Sequence, residues 1–106
     1  MYGLKESDIT KTKSVFCEYP EIDKVILYGS RAKGNYRKNS DIDLSIVGNV
    51  NLDKILSIET KLDDLFLPYE FDLSIFNKIN NIALKEHIIR IGITFYEKEN
   101  PVANNV

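Results

Sequence analysis

The stretch KVILYGSRAKGNYRKNSDIDLSIV, Lys24 to Val47, decides how this chain is read. Its first five residues, KVILY, are apolar, rich in β-branched and aromatic types, and end at Gly29, the pattern of a buried strand. Gly29 to Ser40 is polar and carries two glycines, which predicts a loop with one helical turn inside it. Asp41 to Val47 then alternates: Asp41, Asp43 and Ser45 point one way, and Ile42, Leu44 and Ile46 the other. Alternation of period two is that of a strand with one face in a core.

Working outward, Lys5 to Tyr19 reads as a helix with Ile9, Phe16 and Tyr19 on related faces, stopped by Pro20. Downstream, Leu52 to Phe66 carries a helical stripe of Leu52, Ile55, Leu56, Leu62, Leu65 and Phe66 before Pro68. Glu70 to Phe76 alternates again, with Phe71, Leu73 and Ile75 opposite Glu70, Asp72 and Ser74. Asn80 to Ile91 predicts a third helix, with Gly92 as the residue past its end. Ile93 to Tyr96 reads as a last strand, and 98–106 as a frayed tail. The fold class is thus α/β (α+β). About four strands form a mixed sheet with helices against one face, in a single domain over residues 1–97.

Bulk properties agree with one soluble domain. The chain has 106 residues, 43% hydrophobic and 28% charged, with a formal net charge of −2. A weakly acidic surface does not attract polyanions, so no DNA partner is expected and any phosphate site must be local. Cys17 is the only cysteine, which excludes an internal disulfide and an all-cysteine zinc site. No signal sequence opens the chain, and no apolar run has the roughly 20 residues of a membrane helix. The expected localisation is cytoplasmic, with no membrane partner.

Three acids stand out by position. Asp41 and Asp43 lie two apart, so their carboxylates leave one strand face about 7 Å apart along the backbone. Asp72 has the same phase on another strand. If those strands are neighbours, three carboxylates converge, each raising the others' pKa, and a hard cation such as Mg²⁺ or Mn²⁺ relieves the repulsion. Beside them, Gly29 lets the backbone approach a phosphate, with the following N–H groups and the Ser30 hydroxyl as donors. Arg31, Lys33, Arg37 and Lys38 make the loop locally basic without an intervening acid. An anion-binding loop followed by paired carboxylates describes a metal–nucleotide site.

Two familiar loops fail on inspection. Gly29 and Gly34 have Walker A spacing, but Asn35 and Tyr36 follow where Lys and Ser/Thr are required. Asp41, Asp43 and Ser45 begin like an EF-hand, but Ile46 stands at the glycine turn and Leu52 at the bidentate glutamate.

Gly29-Ser30, ten intervening residues, then Asp41-Ile42-Asp43 resembles the Gly-Ser-x₁₀-Asp-x-Asp signature of the polymerase-beta nucleotidyltransferase superfamily. The fuller string GSRAKGNYRKNSDIDLSI resembles its minimal nucleotidyltransferase (MNT) branch, and Asp72 in EFDLSIF falls where that branch has its third carboxylate. The resemblance implies a polymerase-beta-like fold and a metal-dependent nucleotidyltransferase. Asp41, Asp43 and Asp72 would be catalytic and hold two Mg²⁺ ions, with Mn²⁺ as a substitute. Gly29 and Ser30 would grip the phosphates of ATP or another nucleoside triphosphate, with Arg31, Lys33 or Arg37 neutralising the leaving group.

Stand-alone MNT proteins resemble antitoxins that transfer AMP to a tyrosine of a helical HEPN toxin. Larger family members add an acceptor-binding domain that this stretch lacks, so the acceptor is expected to come with a HEPN-type partner. Two other readings stand beside this one: a non-catalytic module that masks its partner, and transfer to a small molecule or an RNA end. His87, alone in mid-helix, reads as a packed histidine, and Tyr28 and Tyr96 as core. Tyr36 offers the basic loop a ring on which a base would stack.

Overall fold

A computed structural model describes residues 1–99. The strands β1 (Ile22–Tyr28), β2 (Ile42–Gly48), β3 (Phe71–Ile75) and β4 (Ile93–Glu97) form one sheet in the order β3-β2-β1-β4. β1 is antiparallel to both β2 and β4, whereas β2 and β3 are parallel. A parallel neighbour requires a crossover, and the helix α3 (Leu52–Asp63) provides it. Because of that crossover β2 and β3 begin at the same edge of the sheet, which is also where β1 ends.

The helix α1 (Glu6–Cys17) and α3 cover one face. Strand alternation sends Val25 and Leu27, Leu44 and Ile46 into this layer, where they meet Phe16, Ile58 and Leu62 with almost no exposed surface. α3 starts where the Asn51 side chain accepts the Lys54 N–H at 3.0 Å, which satisfies one of the unpaired first-turn donors. Its buried stripe is Ile55, Ile58 and Leu62. Ile55 and Leu62 of the expected stripe are thus buried, whereas Leu52, Leu56 and Phe66 are 65%, 52% and 90% exposed. The helix stops at Asp63, and Phe66 takes a left-handed φ of 54° that turns the chain toward β3.

The helix α4 (Ile82–Ile91) corrects the expectation that the helices share one face. It packs on β1 from the side of Ile26, opposite Val25 and Leu27, and its fully buried Ile88 stands apart from the main core. Asn81 caps it by accepting the Leu84 N–H at 3.1 Å. Gly92 does not end it through a left-handed turn, since its φ is −63°. It is required for close approach: a side chain there would strike the Ile88 carbonyl and come within 2.5 Å of Ile26 Cγ2.

The expected tail is anchored at its first residue. Lys98 N–H donates to the Asp23 carbonyl at 2.9 Å, and its ammonium lies 3.4 Å from the Asp23 carboxylate. The remainder of that expectation, residues 100–106, lies outside the described residues. Among those described, no helix is long and apolar enough to cross a membrane.

Candidate active site

The ladder registers bring the site together. Tyr28 of β1 stands opposite Asp43 of β2, and Asp43 stands opposite Asp72 of β3. Residues paired across strands share a face, so Tyr28, Asp43 and Asp72 form one row at the sheet edge. Burial raises the Asp43 pKa first, and the Asp72 and Asp41 charges raise it further. Asp41 is placed differently from Asp43. β2 begins at Ile42, whose N–H donates to the Glu70 carbonyl at 2.8 Å, so Asp41 sits outside the ladder and exposed. The acids therefore form a close pair, Asp43 and Asp72, with Asp41 at the rim. Among the described residues no three or more His, Cys, Asp or Glu side chains already enclose a common point. The donor set is nonetheless all oxygen, and a divalent cation is what relieves repulsion of this kind.

Gly29 abuts this pair. Its φ of 75° and ψ of −155° fall in a region that only glycine occupies readily, and a Cβ there would collide with Asp43 Oδ2. The turn leads directly into α2 (Ser30–Lys33), the single helical turn expected in the loop, closed by Gly34 at φ 88°. The first N–H groups of such a turn have no partner within it and stand free for an acceptor. We expect Gly29→Ala to destabilise the protein by about 2–4 kcal/mol, because backbone strain and a displaced Asp43 add together. Urea denaturation of the variant beside the parent measures it.

The four basic loop residues do not act alike. Lys33, Arg37 and Lys38 are exposed. Arg31 is 2% exposed and turned inward. Its Nε and Nη2 donate to the Ser40 carbonyl at 3.2 and 2.9 Å, and its Nη1 donates to the Tyr2 carbonyl at 3.0 Å. Its guanidinium stacks 5.3 Å from the ring centres of both Tyr36 and Tyr69. Arg31 thus fastens the loop to the N-terminal segment and to the approach of β3. The expectation that it grips phosphate does not fit this placement, since it is buried and each of its three nitrogens already donates to a carbonyl. Tyr36 has Arg31 on its ring and Gly3 against it, with 38% of its surface exposed.

Sequence reasoning missed Tyr28 by reading it as core. Its phase is opposite to Val25 and Leu27, and its hydroxyl lies near Ser74. Burial raises its pKa most, the Ser74 contact lowers it, and Asp72 and Asp43 raise it further. Ser74 Oγ in turn donates to the fully buried Ser45 Oγ at 3.0 Å. A hydroxyl floor therefore underlies the acids. Tyr28→Phe keeps the ring and removes one contact, so a loss of about 1 kcal/mol is expected, measured by urea denaturation. Tyr28→Ala removes the floor as well and is expected to cost about 3–5 kcal/mol.

Residues 10–101 match the family model described as Polymerase beta, Nucleotidyltransferase. A Methanocaldococcus jannaschii protein, named for an inferred protein adenylyltransferase activity, is 35% identical over 82 residues, spanning 71% of this chain and 79% of that one. The chain belongs to the polymerase beta nucleotidyltransferase family.

Solved structures share the fold. A toxin–antitoxin crystal structure with AMP-PNP aligns with a TM-score of 0.67 and 23% identity, over 91% of this chain and 76% of that one. The complex of a tri-AMPylated Shewanella oneidensis HEPN toxin with its MNT antitoxin aligns with a TM-score of 0.63 and 16% identity, over 96% and 78%.

Proposed function

We propose that this nucleotidyltransferase moves AMP from ATP to a tyrosine hydroxyl of a HEPN-type toxin and so acts as its antitoxin. The observation that carries this reading is the opposed pair Asp43 and Asp72 with the side-chain-free Gly29 closing onto Asp43. The names of the relatives support the acceptor class: one is an inferred protein adenylyltransferase, and one is an MNT antitoxin beside an AMPylated HEPN toxin.

Asp41, Asp43 and Asp72 would hold Mg²⁺, two ions in the full site, with Mn²⁺ as a substitute. Bound there, the metal supplies charge neutralisation of the triphosphate and activation of the attacking hydroxyl. Gly29 and Ser30 hold the terminal phosphates through the start of α2. Lys33 and Arg37, exposed on the same loop, balance the charge of the departing pyrophosphate. Asp72, on the outer strand of the pair and exposed, accepts the proton of the acceptor hydroxyl as its oxygen bonds to the α-phosphorus. The bond from that phosphorus to the pyrophosphate oxygen breaks in the same displacement.

The test is intact-mass analysis of the protein encoded by the adjacent gene after incubation with this chain, ATP and Mg²⁺. A gain of AMP units on tyrosine, absent with Asp41→Asn/Asp43→Asn, is the expected result. Neutralisation of the partner by that double variant without any mass gain would instead make the chain a masking module.

A further inference from the structure

A second feature lies where α1 begins, on the side of the sheet that α1 covers. A cleft of about 590 Å³ opens between the N-terminal segment, the basic loop and the approach to β3. Lys5, Arg31 and Lys38 line it together with Tyr36 and Tyr69, and no carboxylate does so among the described residues. Asp8 comes nearest in the chemistry of this wall. It accepts from the Tyr69 hydroxyl at 3.2 Å but does not line the cleft. Lys5 and Lys38 take part in no ion pair among the described residues. Arg31 is bonded only to carbonyls, which satisfy its donors without cancelling its charge. The charged lining of the cleft is therefore all positive on a chain of net charge −2, with Lys5 and Lys38 exposed and Arg31 buried behind Tyr36 and Tyr69.

Its position ties it to the site. Lys38 lies three residues before Asp41, and Tyr69 three before Asp72. The two segments that wall the cleft thus run on directly into β2 and β3, whose first residues carry the acids. The three carboxylates repel an acidic partner, and the cleft is where such a partner regains favourable charge. A nucleotide base fits less well, because Arg31 and Gly3 already occupy the Tyr36 ring.

We propose that this cleft receives an acidic segment flanking the modified hydroxyl of the acceptor protein. The inference rests on reading the neighbouring acids as a site of transfer to a protein, and it adds the chemical class of the segment recognised. Electrostatic recognition of this kind sets partner choice and weakens with salt.

Binding is measured by fluorescence anisotropy with two labelled tyrosine peptides, one glutamate-flanked and one lysine-flanked. The full chain is compared with Lys5→Glu/Lys38→Glu. Both lysines are exposed, and an acid at the start of α1 suits the helix dipole, so the variant is expected to fold, as circular dichroism verifies. The glutamate-flanked peptide is expected to bind about tenfold more tightly than its counterpart, with the order inverted in the variant and ATP binding unchanged. Equal binding of the two peptides overturns the proposal, as does indifference to the charge reversal. A reversal that weakens ATP binding but not peptide binding assigns the cleft to nucleotide, and stronger displacement by a single-stranded oligonucleotide assigns it to nucleic acid. Asp43→Asn keeps the peptide preference. Preferential binding without AMP transfer by the parent chain sinks the transfer reading and leaves the cleft assignment standing.

Discussion

Asp43→Asn is expected to lower AMP transfer by about a thousandfold while leaving the protein at least as stable as the parent. The loss follows from the proposed role of Asp43, since the change removes charge where the cation and phosphate would be held. The gain follows from the register: Asp43 stands directly opposite Asp72, and like charges so placed destabilise a sheet by about 0.2–1 kcal/mol. A Tm a few degrees above the parent's, measured without divalent cation, is the expected signature. The sign with pH is also fixed. Burial and the neighbouring acids raise the Asp43 pKa in the folded state. Folding stability therefore falls as pH rises from the ordinary carboxylate value through that raised value, and Asn at 43 removes this part of the dependence. A variant that is both inactive and markedly less stable would mean that Asp43 holds the fold together.

Arg31 reverses that pattern. Arg31→Met is expected to cost about 2–4 kcal/mol, because the Ser40 and Tyr2 carbonyls lose their donor and both tyrosine rings lose the cation between them. In a chain of this size that corresponds to a fall in Tm of more than about 10 °C. Arg31→Lys should recover little, since an ammonium cannot reproduce the planar fork that reaches two carbonyls and stacks on two rings. Arg37→Ala is the contrast: its side chain is exposed, so stability should change by less than about 0.5 kcal/mol. Thermal melts of the three variants separate the structural arginine from the exposed one.

The order of elements was readable because each announces its period. The alternation of Asp41 to Val47 and of Glu70 to Phe76 gave two strands whose acids share a phase, and Pro20 and Pro68 gave two stops. What pairs with what was not readable. Tyr28 closes an apolar run and looked like core. Only the register, which places it opposite Asp43, shows that it belongs to the acidic row. The signal available was its phase, since Tyr28 is odd-stepped from Val25 and Leu27 is not. Arg31, Lys33, Arg37 and Lys38 are equivalent in composition, and only tertiary packing turns the first of them inward. Part of the stripe of α3 was misjudged because Leu52 and Leu56 also fit a helical period, and periodicity alone does not say which apolar row meets the sheet. Asp41 was expected inside β2. It falls one residue short of the first ladder bond, and so joins the site from the rim.

The acidic row at the end of β1 and the start of β2 and β3 is the proposed place of nucleotidyl transfer. Parallel incubations with ATP labelled in the α-phosphate or in the γ-phosphate, each with Mg²⁺ and the acceptor protein, test it most directly. The expected result is label in the acceptor from the α position alone, about a thousandfold less of it with Asp43→Asn. Label arriving from the γ position, or label from the α position that persists undiminished in Asp43→Asn, would contradict it.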